Sequence, residues 1–326
     1  MTIPVTQRKK LKKDQHLKLS KQSYRKYHKR RTGRFDRLQA MSSPATSLKL
    51  PFEMDAVLEI AREAAAMGKQ LQGNVRAEFK ADNTFVTEAD RAIETLLREK
   101  LSALTPGWSL LGEEHGLDGD PDAPTWVIDP IDGTNNFVRD LPLWTVSIGA
   151  VHDGQAICGI VATPVLNEIL WAAQGQGAWR ESNGSTMQIH AHARTKLMHE
   201  DIIAYNTEVE SAVDFSRVPG CMRNFGSVAY HLSLLARGSL SAAMARRHKL
   251  YDVAGGMAIC AEAGCVARYL DGRDWVADVK EAEAAIPLLV APPQTVELLK
   301  ELLELKQSPT ALQGHETDSL STPARS

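Results

Sequence analysis

Residues 126–137 read Trp126-Val127-Ile128-Asp129-Pro130-Ile131-Asp132-Gly133-Thr134-Asn135-Asn136-Phe137. Trp126 to Ile128 form an apolar run of the kind that ends a buried strand. Pro130 has no N–H and cannot continue a ladder, so the chain is expected to leave the sheet there. Asp132-Gly133-Thr134 then supplies capping residues for a following helix. A strand end, two carboxylates and a helix start suit a hard cation, through oxygen ligands, and an oxyanion, through free backbone N–H groups. Asp is also a common cap and turn residue, so an Asp-x-x-Asp pair alone does not separate a metal site from a solvated loop.

Three further segments bear on that choice. Leu111-Gly112-Glu113-Glu114-His115 places two adjacent acids after a short apolar stretch. Val86-Thr87-Glu88-Ala89-Asp90 opens an amphipathic helix, with Ala89, Ile93, Leu96 and Leu97 at helical spacing. Thr87 and Asp90 have the spacing of a capping box. Leu250-Tyr251-Asp252-Val253-Ala254-Gly255-Gly256 reads as a helix start with Asp252 at the N-cap, and the small residues behind it allow close packing. Alone, each segment has an ordinary structural reading.

Taken in order, the four segments resemble the inositol monophosphatase family of metal-dependent, lithium-sensitive sugar and nucleotide phosphatases. The resemblance spans about residues 55–300 and rests most on Asp129-Pro130-Ile131-Asp132-Gly133-Thr134 and on Tyr251-Asp252-x-Ala254-Gly255 with Glu262-Ala263-Gly264 downstream. It implies a mixed α/β (α+β) fold, a five-layer α-β-α-β-α sandwich of the sugar-phosphatase type. It implies two or three Mg²⁺ ions held by Glu113, Asp129, Asp132, the main-chain carbonyl of Ile131 and, from the other half of the chain, Asp252. Asp90 and Thr134 would orient and deprotonate the attacking water. Gly133 and Thr134 would offer N–H groups to the phosphate. Lys80 stands about where the family keeps a lysine near the metals, and a solvated lysine fits that position equally well. Ser227, in Phe225-Gly226-Ser227, either faces the substrate or caps the next helix.

The chemistry of such a residue set is coherent. A phosphate monoester dianion repels hydroxide and has a poor alkoxide leaving group, and divalent cations ease both problems. Clustered carboxylates are otherwise mutually repulsive. There is no Gly-x-Ser-x-Gly elbow and no Gly-rich Walker loop.

The 326 residues, 43% of them hydrophobic, suffice for one large domain or two linked halves. Residues 51–306 are expected to form the phosphatase domain, with halves at about 51–190 and 191–306. Cys158, Cys221, Cys260 and Cys265 show no Cys-x-x-Cys pairing and read as free thiols of a cytoplasmic protein. No apolar run is long enough to span a membrane. Strands are expected at 145–151, 156–162 and 168–173 as an antiparallel meander, and helices at 55–72, 90–104, 228–237, 252–263 and 294–306.

Residues 1–50 form a basic arm. Within 1–38 there are fourteen Lys or Arg against Asp14 and Asp36, whereas the whole chain has a net charge of −2, so the remainder is acidic. Apolar residues in the arm are too sparse to fold alone. It is open to three readings: contact with nucleic acid or anionic lipid, folding back onto the acidic body, or an upstream extension ahead of Met41 or Met54. Residues 307–326 read as a disordered tail.

Substrate choice is less determined. Inositol-preferring relatives keep an acid where this chain has Ala245, which Arg246, Arg247, His248 and Lys249 follow. Cations there disfavour myo-inositol phosphate and favour an ester with a second anionic group; a solvated basic loop is the other reading. The expected function is Mg²⁺-dependent hydrolysis of a small phosphate monoester: an inositol phosphate, a sugar phosphate, a nucleotide 3′-phosphate or histidinol phosphate. The alternative is a nucleic-acid- or partner-binding protein that uses the body as a scaffold and residues 1–38 as contact. A homodimer is left open.

Overall fold

The computed structural model describes residues 50–74, 77–79, 85–280 and 285–306. The basic arm, Lys80 and residues 307–326 lie outside the described residues.

Helix α1 (Met54–Leu71) precedes the short strands β1 (Ala77–Phe79) and β2 (Phe85–Thr87), then helix α2 (Glu88–Leu104). Strands β3 (Ser109–Gly112), β4 (Gly116–Asp118) and β5 (Thr125–Asp132) lead into the single turn α3 (Thr134–Phe137). The expected meander follows as β6 (Thr145–His152), β7 (Gln155–Thr163) and β8 (Glu168–Ala173), continued by β9 (Ala178–Ser182) and β10 (Ser185–Ile189). Next come β11 (Ile202–Tyr205), α4 (Thr207–Glu210), β12 (Val213–Asp214), β13 (Cys221–Arg223) and α5 (Val228–Ala236). Last are β14 (Ala242–Ala245), α6 (Leu250–Glu262), β15 (Val266–Tyr269), β16 (Leu288–Ala291), α7 (Pro293–Leu302) and β17 (Glu304–Leu305).

The larger sheet runs β10-β9-β8-β7-β6-β5-β3-β4 and is antiparallel except where β3 pairs parallel with β5. The smaller sheet runs β13-β11-β14-β16-β15 and is mixed. Helices α1 and α2 lie on one face of the large sheet, burying Val57, Ala61, Ala64, Ile93 and Leu97 against Ile128, Val146, Ile148 and Ile160. Helices α5 and α6 fill the space between the sheets, and α7 closes the outer face of the small one. The result is the expected α-β-α-β-α order. Residues buried on both faces of a sheet cannot alternate, and β5 is accordingly buried at every position. Its Trp126 packs on Phe52 and Trp108 and donates its indole N–H to Thr105 Oγ1 at 2.7 Å, which satisfies a buried donor. Among the described residues no helix is long and apolar enough to cross a membrane. The four cysteines are free thiols.

The central layer is thin because glycines make it so. A Cβ on Gly149 of β6 would lie 2.8 Å from Ala254 Cβ, and one on Gly159 of β7 would run into the Gly255 carbonyl oxygen. On the helix side, a Cβ on Gly255 would lie 2.9 Å from Ile148 O. Glycines on both surfaces therefore let α6 lie directly on the sheet, and α6 is the helix that carries Asp252. Gly159→Ala is expected to destabilise the fold by about 3 kcal/mol, because the clash is with backbone and cannot be relieved by a rotamer. Urea unfolding of the variant checks this; a change under about 1 kcal/mol would mean that α6 can lift off the sheet at little cost.

Three local expectations are corrected. Strand β5 does not end at Pro130 but runs to Asp132 through a bulge: Asp129 pairs with Ser147 and Asp132 with Thr145, so one extra residue is accommodated. A bulge leaves residues without ladder bonds, which is why proline is tolerated there. Asp252 is not the N-cap of α6 but sits in its first turn, three residues after Lys249. The last helix stops at Leu302 rather than 306, because Glu304–Leu305 pairs with Val213–Asp214.

Candidate active site

The bulge in β5 turns Asp129 and Asp132 to the end of the strand. Asp129 is 2% exposed, and its Oδ1 accepts the Ile131 N–H at 3.1 Å. Asp132 Oδ2 accepts the Ser227 hydroxyl at 2.7 Å and the Ala229 N–H at 2.5 Å, so one carboxylate oxygen ties the strand end to the first turn of α5. Ser227 is the N-cap of α5 and also accepts the Tyr230 N–H. Of the two roles open to Ser227, the helix cap is the one the structure shows, and its hydroxyl also binds Asp132.

Gly133 follows with φ 97°, and a Cβ there would lie 3.1–3.2 Å from Gly226 O, Leu143 O and Ser227 Cβ. Both the left-handed backbone and the crowding require glycine. Gly133 rather than a side chain caps α3. Thr134 then places its Oγ1 3.1 Å from Ile131 O and 3.4 Å from Asp90 Oδ1. Asp90 is fully buried in the first turn of α2. Its Oδ2 accepts both the N–H (2.7 Å) and the hydroxyl (2.6 Å) of Thr87, completing the expected capping box. Two donors from Thr87 hold that oxygen in place.

Asp252 arrives on α6, and its Oδ2 accepts the Lys249 N–H at 2.7 Å. Glu113 follows β3 directly. The acids sense one another. Burial, then the charges of Glu113, Asp132, Asp252 and Asp90, hold the Asp129 carboxyl well above its usual range. Asp252 is likewise raised, by burial and then by Asp132, with Glu113 adding to it. Burial pushes Asp132 up to about 6, against the lowering effect of its bonds from Ser227, Ala229 and Val228. Asp90, Glu113, Asp129, Asp132 and Asp252, from four separate elements, thus share one region. Among the described residues no group of three or more His, Cys, Asp or Glu side chains is placed so that it could hold a metal ion as it stands. Close carboxylates repel, and here Asp90, Asp129, Asp132 and Asp252 each accept N–H or hydroxyl donors. The donor set is all oxygen and strongly anionic, which fits a hard divalent cation such as Mg²⁺.

Arg246 and Arg247 follow β14. The Arg246 guanidinium bonds Ala285 O (2.8 Å) and Ser211 Oγ (3.1 Å), and its N–H bonds Asn206 Oδ1. It holds loops together. Arg247 is the more exposed of the two and has φ 52°. Ala245 is buried in β14.

Residues that sequence reasoning passed over hold the rim in place. Asn136 Nδ2 donates to Leu143 O (2.6 Å) and Phe225 O (2.7 Å), joining α3 to the loop before α5. His231 Nε2 accepts the Phe225 N–H at 3.0 Å, and burial lowers this imidazole to about 4. It is therefore neutral near pH 7, with its proton on Nδ1. No local sequence signal marks a helix histidine as the acceptor for a backbone N–H six residues earlier.

Comparison with known proteins agrees with this geometry. The model of the inositol monophosphatase family matches residues 53–306. The chain is 33% identical to the histidinol-phosphatase of Streptomyces coelicolor, over 67% of this chain and 85% of that protein. It is 31% identical to the inositol-1-monophosphatase of Caulobacter vibrioides, over 67% and 90%. The solved structure of Mycobacterium tuberculosis SuhB superposes with a TM-score of 0.60 at 29% identity, over 75% of this chain and 92% of that one. With a family model matched from α1 to the last strand and the signature carboxylates gathered in one place, the chain belongs to the inositol monophosphatase family.

Proposed function

We propose that this chain hydrolyses a small phosphate monoester with Mg²⁺, using water as the nucleophile. Members of the family are phosphoric monoester hydrolases; the metal dependence and the choice of ester are inferred. One observation carries the proposal: the Asp90–Thr134 pair stands beside Glu113, Asp129, Asp132 and Asp252. Residues 51–306 constitute the catalytic domain in this reading.

Glu113, Asp129, Asp132, Asp252 and the Ile131 carbonyl would hold the cations. Bound divalent cations supply Lewis acidity and offset charge on the leaving oxygen. The rest falls to the protein. Thr134 has a single hydroxyl proton and two acceptors in reach, Ile131 O and Asp90 Oδ1. With the Ile131 carbonyl engaged elsewhere, that proton turns to Asp90. Thr134 Oγ1 is then free to accept a proton from water while handing its own to the carboxylate. Asp90 is held for this by Thr87, whose two bonds fix the other oxygen. The Gly133 and Thr134 N–H groups would meet the phosphate.

The sequence around Ala245 supports one substrate class. No acid stands at Ala245, and Arg247 and Lys249 lie between it and Asp252. An ester with a second anionic group is favoured over a polyol phosphate, because a charge-assisted contact contributes about 1.5–3 kcal/mol. The relatives named above include both a histidinol-phosphatase and an inositol-1-monophosphatase, so family membership alone does not choose. A panel of phosphate esters assayed with and without Mg²⁺ tests the proposal. Turnover that requires Mg²⁺, is inhibited by Li⁺ and is highest on bisphosphates or carboxylated esters is expected. Turnover unchanged by chelation would overturn the metal reading, and myo-inositol 1-phosphate as best substrate would overturn the substrate class.

A further inference from the structure

Glu94 is a fully buried carboxylate with no place in the chemistry described so far. It lies on α2 one turn after Asp90, on the same helix face. Its Oε2 accepts the Glu114 N–H at 2.8 Å. Its Oε1 accepts the His115 N–H at 3.1 Å and the Arg98 Nε–H at 2.9 Å, with His115 Nδ1 at 3.0 Å. Arg98 in turn donates to Gly116 O at 2.6 Å. The carboxyl group lies against Gly112, where a Cβ would come within 2.6 Å of Glu94 Cδ. The one residue enclosed by all these contacts is Glu113.

The peptide unit that carries the Glu114 N–H is the one that follows the Glu113 Cα. Holding that N–H fixes ψ of Glu113 and so the direction in which its side chain leaves the loop. Burying a carboxylate is costly and is a poor way to gain stability alone. Here its oxygens meet N–H donors from the loop and a guanidinium from its own helix. An amide could not replace it, because a Gln Nε2 would face either the Glu114 N–H or the His115 N–H and Arg98, donor against donor.

We propose that Glu94 is a positioning residue: it fixes Glu113 relative to Asp90 and thereby sets metal affinity on the β3 side of the site. The role rests on the reading of Glu113 as a metal ligand. It explains why Gly112 precedes Glu113, since any side chain at 112 would evict the Glu94 carboxylate. One helix then carries both the carboxylate that orients Thr134 and the clamp that aims Glu113.

Two measurements on Glu94→Gln test this. In metal-free protein, amide exchange at whichever of Glu114 and His115 faces the Gln Nε2 should speed about ten-fold or more relative to wild type. In calorimetric titration, Mg²⁺ should bind about ten-fold or more weakly, with kcat at saturating Mg²⁺ changed far less. Glu168→Gln is the control. Glu168 is 3% exposed and pairs with Arg180 and Arg237 on β8, so its loss should lower stability and leave Mg²⁺ affinity intact. If Glu94→Gln does not fold, Glu94→Asp, too short to reach both N–H groups, is judged by the same criteria. Exchange at Glu114 and His115 equal to wild type would overturn the clamp. Faster exchange with unchanged Mg²⁺ affinity would overturn the link to the metal site, provided Asp132→Asn weakens Mg²⁺ binding. If Asp132→Asn also leaves Mg²⁺ binding unchanged, the metal reading itself fails and takes this role with it.

Discussion

Asp90→Asn is expected to lower turnover by about a hundred-fold or more while leaving the Mg²⁺ requirement within about three-fold of wild type. Asp90 uses its two oxygens for different tasks. Oδ2 takes both donors of Thr87, and Oδ1 faces Thr134. An asparagine settles with its oxygen toward Thr87, because its NH₂ cannot accept from a backbone N–H. Its Nδ2 then faces Thr134 Oγ1 and becomes a donor to it. The hydroxyl proton is driven onto Ile131 O, and the route from water to a carboxylate is reversed. Both bonds of the capping box survive, so α2 keeps its start and the melting temperature should shift by only a few degrees. Steady-state kinetics over a Mg²⁺ titration separates the two effects. Turnover above a tenth of wild type would show that Asp90 is not the proton acceptor.

The part of this site that is legible in the sequence is the part written in local chemistry. The Thr87–Asp90 capping box, the Asp129–Thr134 turn and the small residues behind Asp252 each combine side-chain type with short spacing, and the structure builds each from those same residues. The layer order was reachable because resemblance supplied what periodicity could not: β5 is buried throughout and β7 nearly so, and uniform burial erases the period-two signal. What could not be read depends on partners far away in the chain. Asp132 is satisfied by an N–H from Ala229 and the Glu113 loop by a glutamate on α2. In the sequence Glu94 is one more acid on an amphipathic helix, four residues before an arginine, a spacing common to exposed helix ion pairs. Only the fold shows that it faces inward. The bulge at Pro130 is hidden from the sequence for a related reason: proline ends a ladder unless the strand can spare a residue, and whether it can is decided by the register with β6.

Asp132→Asn is expected to cost both metal affinity and turnover, each by about ten-fold or more, without unfolding the protein. The proposed reading gives the carboxylate two tasks. Oδ2 accepts from Ser227 and Ala229 and anchors α5, and Oδ1 would be the oxygen offered to a cation. An asparagine can satisfy only one side. With its oxygen toward α5 it presents an NH₂ donor to the cation. With its oxygen toward the cation it sets Nδ2 against the Ala229 N–H, and a buried donor goes unpaired at a cost of about 1–3 kcal/mol. Both orientations also remove one negative charge from the cluster that raises Asp252. Mg²⁺ affinity should therefore fall even where stability improves from reduced repulsion. The informative comparison is with Asp90→Asn. If Asp132 holds metal and Asp90 moves protons, excess Mg²⁺ restores part of the activity of Asp132→Asn and none of that of Asp90→Asn. The opposite pattern would exchange the two roles. Equal recovery in both variants would mean that neither assignment holds, because a proton acceptor lost from the site cannot be replaced by adding more cation.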